Sequence, residues 1–260
     1  MSEKLPYRTA LVTGASRGIG AAIVRALCAE GLEVHAVARS AEPLRALAQA
    51  TGCRPLVLDV TDSDALEASL GALAIDLLVV NAGRVTAVKP VHALTRWELD
   101  AMIDVNLRAA MHCARLVLPG MIARGFGHLV FVSSIAAHYP YPEMAVYCAC
   151  KAALSMFAQN LRLDLLGTGI RVTELNPGRV RTDIYLEALG DPALVEERLY
   201  RDFRALEPND VARVLVDALR LPPHADLARI DLLPTDQAPG GVAVVRRPPE
   251  TARTPDSGRG

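Results

Sequence analysis

Dense blocks of positive charge, paired cysteines and long apolar runs are all missing from this 260-residue chain. Its formal charge is -1, with lysine and arginine scattered rather than massed. Nothing in it offers phosphate backbones a strong attraction, so nucleic acid is excluded as a partner class. The opening MSEKLPYRTALVTG is polar and then apolar for only a few residues. That is too short for a signal-peptide core or a bilayer span, so a cytoplasmic location with no membrane partner is expected. The five cysteines, Cys28, Cys53, Cys113, Cys148 and Cys150, form neither a disulfide framework nor a C-x-x-C metal pair. They are expected to be reduced thiols in apolar surroundings, with Cys148 and Cys150 as bystanders.

What is there suffices for one buried core: 51% of the residues are hydrophobic and 22% charged. Short apolar runs rich in β-formers recur at Ala10–Thr13, Val34–Ala38, Pro55–Leu58, Leu77–Val80, Leu129–Val132, Ile170–Leu175 and Ile230–Leu233, separated by stretches of helical period. These runs lack period-two alternation, so both faces of the sheet must be covered. The expected fold is α/β: a single-domain, doubly wound, seven-stranded parallel sheet with helices on both faces. Thr61 or Asp62 is placed to cap a helix through Leu70, Thr95 one beginning near Trp97, and Glu207-Pro208 opens one through Leu219. The domain is expected over residues 1–246. The remainder, 247–260, is rich in Pro, Gly and Arg and is expected to be a disordered tail.

Directly after the first strand comes Thr13-Gly14-Ala15-Ser16-Arg17-Gly18-Ile19-Gly20, leading into AAIVRALCAEG. Here Gly14 permits a sharp turn, Gly18 a close backbone approach to a ligand, and Gly20 tight packing of helix on sheet. The helix N-terminus then aims free N–H groups at a pyrophosphate. Taken alone, such a turn is also compatible with a purely structural role; its strand-turn-helix setting favours a dinucleotide. No Lys-Ser or Lys-Thr follows the last glycine, which disfavours a nucleoside triphosphatase. The second strand ends Val37-Ala38-Arg39-Ser40, with no carboxylate at Ala38 to accept a ribose 2′-OH. Arg39 and Arg17 instead suit a 2′-phosphate, so NADP(H) is the expected cofactor. Asp59, ending the third strand, reads either as an acceptor for the adenine amino group or as a turn aspartate.

Tyr147 and Lys151 lie four residues apart in the helical stretch from Met144 to Leu166, which puts them on one helix face. An ammonium next to a phenol favours the phenolate, bringing a tyrosine closer to working range near neutral pH. Ser134 ends the fifth strand thirteen residues earlier. It therefore emerges at the carboxyl edge of the sheet, where ligands bind in open α/β folds, and its hydroxyl suits polarisation of a carbonyl. Ser133 beside it is the alternative, less favoured on spacing.

These residues jointly resemble the short-chain dehydrogenase/reductase family, which has a Rossmann fold, from the start of the chain to about Arg247. The match comprises Thr13-Gly14-x-x-x-Gly18-x-Gly20, Asp59-Val60, Asn81-Ala82-Gly83, Asn106, Ser134, Tyr147-x-x-x-Lys151 and Pro177-Gly178-x-Val180-x-Thr182. The resemblance implies a catalytic tetrad of Asn106, Ser134, Tyr147 and Lys151. It also implies cofactor contacts from Gly14, Ser16, Arg17, Gly18, Ile19, Gly20, Arg39, Asp59, Val60, Asn81, Ala82, Gly83, Tyr147, Lys151, Pro177, Gly178, Val180 and Thr182. In the implied reduction Tyr147 protonates the carbonyl oxygen, Ser134 stabilises the oxyanion, and Asn106 holds a water linking Lys151 to solvent. Thr182 would contact the nicotinamide carboxamide, no metal is required, and the usual assembly is a homotetramer, with a homodimer the alternative.

Two departures stand out: Val80 precedes Asn81 where the family commonly has a second Asn, and Cys150 replaces a common Ser. A narrower similarity, to serine/3-hydroxy acid dehydrogenases and sulfoacetaldehyde reductases, is carried by Tyr139-Pro140-Tyr141-Pro142, by the run from Asn160 to Thr173, and by Leu221-Pro222-Pro223-His224 and Leu233-Pro234-Thr235. It implies a small hydroxy acid or semialdehyde as substrate, for which Arg179 or Arg181 offers a cation. The alternatives are a 3-ketoacyl-thioester or other ketone reductase and a non-catalytic NADP(H)-binding sensor; retention of both Tyr147 and Lys151 weighs against the sensor.

Overall fold

The structure is a computed structural model that describes residues 4–71, 73–238 and 244–245. The expected tail, 247–260, lies outside the described residues. Seven strands, β1 (Thr9–Thr13), β2 (Glu33–Ala38), β3 (Arg54–Val57), β4 (Leu77–Val80), β5 (Gly127–Val132), β6 (Ile170–Pro177) and β7 (Arg229–Leu232), form one sheet in the order β3-β2-β1-β4-β5-β6-β7. Every neighbouring pair is parallel.

The missing alternation in the strands has a direct structural cause. On β1, β4 and β5 successive apolar side chains enter two different cores. Ala10, Val12, Leu77, Val79, Val130 and Val132 pack on one face with α1 (Gly18–Ala29), α2 (Ala41–Thr51) and α9 (Pro208–Leu219). Leu11, Leu78, Val80, Leu129 and Phe131 pack on the other with α3 (Ser63–Leu70), α5 (Ala109–Arg124) and α6 (Ala145–Asp164). Residues such as Leu27 and Leu66 are fully buried, so truncating either to Ala removes about 2–5 kcal/mol.

The helix starts follow from capping chemistry. Asp62 accepts the N–H of Ala65 at the head of α3. Thr95 and Glu98 form a reciprocal capping box on α4 (Arg96–Ile103), and Pro208 opens α9. Two further short helices, α7 (Leu186–Leu189) and α8 (Pro192–Val195), follow β6.

The strand order reverses direction between β1 and β4, so the connections leaving their carboxyl ends part to opposite faces of the sheet. That divergence opens a crevice above Thr13 and Val80, the position where open α/β sheets take ligands.

Candidate active site

One wall of the crevice is the turn after β1. Gly14 has φ +64°, and a Cβ there would stand 2.8 Å from the Cα of Ala82. A Cβ at Gly20 would fall 2.2 Å from the carbonyl oxygen of Gly14, so α1 touches the turn with no room for a side chain. The loop after β4 is bolted to this turn. Thr13 Oγ1 accepts the N–H groups of Asn81 and Ala82, each at 3.0 Å. The Asn81 amide donates to the carbonyls of Thr13 and Gly14 at 3.0 and 3.2 Å. Asn81 thus joins the two loops by itself, and Val80 takes a place in the core. The first turn of α1 has no acidic residue and no side-chain cap, which leaves its N–H groups open toward an anion.

The opposite wall carries Ser134, Tyr147 and Lys151. Lys151, only 3% exposed, donates from Nζ to the Val132 carbonyl at 3.1 Å and lies 5.7 Å from the centre of the Tyr147 ring. The Ser134 hydroxyl hydrogen-bonds to Tyr147 and accepts the Ala136 N–H at 3.1 Å. The Ser133 hydroxyl points to the Lys151 main-chain carbonyl, 3.5 Å away, so Ser134 is the serine that reaches the phenol.

The electrostatic balance corrects one expectation. The lysine was expected to pull the Tyr147 phenol down toward neutral pH. Instead burial pushes it well above its ordinary value, with Tyr185 adding to the push and the Ser134 hydrogen bond only partly opposing it. Desolvation acts on the lysine as well, lowering it to about 8 against the upward pull of Cys150 and Glu174. Tyr147 therefore stays protonated across the neutral range, and of the two groups Lys151 titrates closer to neutrality.

Asn106 is 1% exposed and sits in a π-helical turn, Asp104–Arg108, that joins α4 to α5. Its Nδ2 donates to the carbonyls of Met102 and Arg84, both at 2.8 Å, and its Oδ1 accepts the Arg84 N–H at 3.1 Å. Both amide hydrogens are thus committed to main chain. The side chain ties the helical joint to the loop after Gly83, and any water at Asn106 must be held by an oxygen. π-turns of this kind often mark functional positions.

Between the walls lies a cavity of about 560 Å³. Every expected catalytic or cofactor-contacting residue lines it except Gly20, which packs behind the turn, and Asn106, which lies beneath the loop. Asp59 is in the lining with one oxygen engaged by both the N–H and hydroxyl of Thr61 and the other 3.6 Å from Arg39. Burial pushes its acidity the other way, but those hydrogen bonds and the guanidinium hold the carboxyl below its usual range. Several lining residues were not among the expected catalytic or cofactor-contacting ones. Arg84 binds Glu187 of α7 with two nitrogens, at 2.5 and 2.9 Å, and lies over Trp97. Tyr141, Tyr185, Leu199 and Gln237 come from segments that only the folded chain brings together. Of the two arginines offered as cations for a substrate, Arg179 lines the cavity, whereas Arg181 pairs with Glu196 and Glu207 outside it.

Comparison with known proteins accords with this arrangement. The family model for short chain dehydrogenases matches residues 8–190. Among curated relatives, the chain is 43% identical to the uncharacterized short-chain type dehydrogenase/reductase y4eK of Sinorhizobium fredii, over 91% of this chain and 95% of that one. It is 35% identical to the NADP-dependent 3-hydroxy acid dehydrogenase YdfG of Escherichia coli K12, over 91% and 99%. Among solved structures, the closed form of a serine dehydrogenase complexed with NADP+ superposes with a TM-score of 0.86 at 34% identity, covering 92% of this chain and all of that one. With the family model matching residues 8–190, and relatives at 43% and 35% identity covered almost end to end, the chain belongs to the short-chain dehydrogenase family.

Proposed function

We propose that this protein is an NADP(H)-dependent oxidoreductase that interconverts an alcohol and a carbonyl, acting on a small hydroxy acid or the matching semialdehyde. The observation that carries the reading is the grouping of Ser134 with the buried Tyr147 and Lys151, which face the same cavity as the glycine turn. The substrate class is supported by the printed activities of the relatives, a 3-hydroxy acid dehydrogenase and a serine dehydrogenase.

The residues fit the dinucleotide. The uncapped first turn of α1 suits a pyrophosphate, and a Cβ at Gly14 would close the gap between the two loops that flank it. Arg17 and Arg39 line the cavity, and no carboxylate stands at Ala38 to prefer a bare ribose. Ser16, Gly18 and Ile19 would hold the phosphates. Asp59 and Val60 would flank the adenine, Asn81, Ala82 and Gly83 would form the floor, and Pro177, Gly178, Val180 and Thr182 would enclose the nicotinamide. Bound there, NADPH supplies the hydride that reduces the carbonyl carbon.

The chain's own groups manage the proton and the charge. Tyr147, kept protonated by burial, donates its hydroxyl proton to the substrate oxygen as negative charge grows there. Ser134, already bonded to Tyr147, places its hydroxyl against the same oxygen. The buried ammonium of Lys151 stabilises the phenolate left behind and, with a value near 8, is able to pass a proton onward near neutral pH. Asn106 holds the π-turn and the loop that roofs Lys151 in register. In the oxidative direction the steps reverse, and Tyr147 must lose its proton first.

Apolar side chains are exposed on the outer faces of α5 (Met111, Ile122) and α6 (Met156, Leu163), at separations that put each pair on one helical stripe. This favours a homotetramer or homodimer built across those helices, tested by sedimentation of wild type against Met156→Lys/Leu163→Lys. Among the described residues no helix is long and apolar enough to cross a membrane; a cytoplasmic location is part of the proposal. The function itself is tested by NADPH consumption with a panel of semialdehydes, sulfoacetaldehyde and neutral ketones. Turnover of neutral ketones alone would overturn the substrate class.

A further inference from the structure

Five arginines line the cavity, at positions 17, 39, 84, 179 and 198. Arg39 is paired with Asp59 and Arg84 with Glu187. Arg179 differs from both, because no carboxylate pairs with it among the described residues. Its Nη1 donates to the Leu199 carbonyl at 3.1 Å, and its guanidinium lies over the ring of Phe203, 5.3 Å from the centroid. One carbonyl and one aromatic face fix the plane of the fork, and its other N–H donors remain without a protein acceptor among the described residues.

Its surroundings are chosen for an anion. Gln237 accepts the Arg179 main-chain N–H on Oε1 at 2.8 Å and donates from Nε2 to the Tyr141 hydroxyl at 3.3 Å. The Tyr141 oxygen is thereby an acceptor, and its own hydrogen is bonded to nothing among the described residues. Tyr185 is held with its hydroxyl 3.8 Å from the Met144 sulfur, a weak acceptor. Burial raises both phenols, so both stay protonated, while the Arg179 charge acts on each of them in the opposite sense. Tyr185 also lies close enough to Tyr147 to raise it further, which puts this group beside the reacting end of the cavity. Glu143 and Asp183 line the cavity too, but both are exposed and neither is bonded to Arg179.

We propose that Arg179, with the hydroxyls of Tyr141 and Tyr185, is the specificity-determining seat for the carboxylate of the substrate, and that Gln237 is a positioning residue for it. The proposal deepens the hydroxy acid reading and rests on it for the identity of the substrate. The seat itself is a claim about anion binding and has its own readout. A guanidinium held in place before the ligand arrives presents a fork that a carboxylate matches with two hydrogen bonds, with little left to order on binding.

The test has two arms. In the first, propanoate is titrated calorimetrically into protein saturated with NADP+, using wild type, Arg179→Gln, Arg179→Lys and Arg198→Gln. Saturable binding to wild type that weakens about 10- to 100-fold in Arg179→Gln, partly returns in Arg179→Lys and persists in Arg198→Gln is expected. No binding to wild type, or binding that Arg179→Gln leaves intact, overturns the seat. In the second arm, kcat/KM is measured for 3-hydroxypropanoate and for 1,3-propanediol, which differ at the far end of the same three-carbon chain. The ratio of the two should fall at least tenfold in Arg179→Gln, whereas a merely structural role would lower both together and leave the ratio unmoved. If wild type binds propanoate yet oxidises only the diol, the seat stands and the hydroxy acid reading fails; if it oxidises the acid but binding ignores Arg179, the seat alone fails.

Discussion

At the scale of single residues, the site is governed by desolvation more than by the attraction between neighbours. Lys151 keeps a value near 8 because burial outweighs the pull of Glu174 and Cys150. That has a consequence for stability. Between roughly pH 8 and 10.4 the unfolded chain keeps the lysine proton while the folded chain has lost it, so stability contributed by this group rises with pH across that window. Below pH 8 the folded state holds a buried ammonium at a cost of about 3 kcal/mol. Urea unfolding of wild type and Lys151→Met at pH 7 and pH 10 should therefore show wild type gaining about 2–3 kcal/mol relative to the variant. A difference that stays constant with pH would contradict the assignment. Cofactor choice also belongs at this scale. Arg39 is more than half exposed and already shared with Asp59, so Arg39→Ala should reduce the NADPH-over-NADH preference by only about tenfold, and Arg17→Ala/Arg39→Ala by more. Steady-state kcat/KM with each nucleotide measures it.

At the scale of elements, the close approach of α1 to the turn is the tightest constraint in the site. A methyl at Gly20 meets the Gly14 backbone and the Asn81 amide that is itself bonded to Thr13 and Gly14, so Gly20→Ala should raise KM for NADPH at least tenfold and lower the thermal midpoint together, as α1 backs away from Gly14. A loss of affinity without any loss of stability would mean that the glycine acts by touching the cofactor, which its place outside the cavity lining argues against. The capping box on α4 is a local device of a different kind. Thr95→Ala should lower stability by about 1 kcal/mol and leave KM for NADPH unaltered, since neither Thr95 nor Glu98 lines the cavity.

Elements also mark where the sequence was readable. The strands fall within two residues of the apolar runs at either end, because each run is bounded by turn chemistry, and the central ones are buried on both faces. The caps at Asp62, Thr95 and Pro208 were equally legible, since they are local. The π-turn at Asp104–Arg108 was not. It coincides with hydrogen bonds from Asn106 to Met102, four residues away, and to Arg84, twenty-two residues away. No periodicity reports a tertiary contact. The four-residue helices Leu186–Leu189 and Pro192–Val195 are likewise too short for any pattern.

At the scale of the whole molecule, the reversal of strand order creates one crevice and brings to it groups from every third of the chain. The motif residues could be named from the sequence because each sits at a strand end or on a helix face. What the sequence withheld is the far side of the cavity. Gln237 arrives after β7 to meet Tyr141, ninety-six residues earlier, and Glu187 meets Arg84 across one hundred and three. Sequence spacing also misjudged the Tyr147 phenol: a separation of four says that the lysine is near, but burial, which decides the balance, is a property of the packed molecule.

The central claim is that Tyr147 delivers the proton and that Lys151 and Ser134 serve it. Single-turnover oxidation of NADPH, followed by stopped-flow absorbance with saturating semialdehyde, tests this most directly in wild type and Tyr147→Phe. The variant removes one hydroxyl and keeps the ring among Met102, Ala136 and Met144. The account predicts a fall of at least 100-fold in the hydride-transfer rate with NADPH binding unchanged. A Tyr147→Phe rate within threefold of wild type would contradict it.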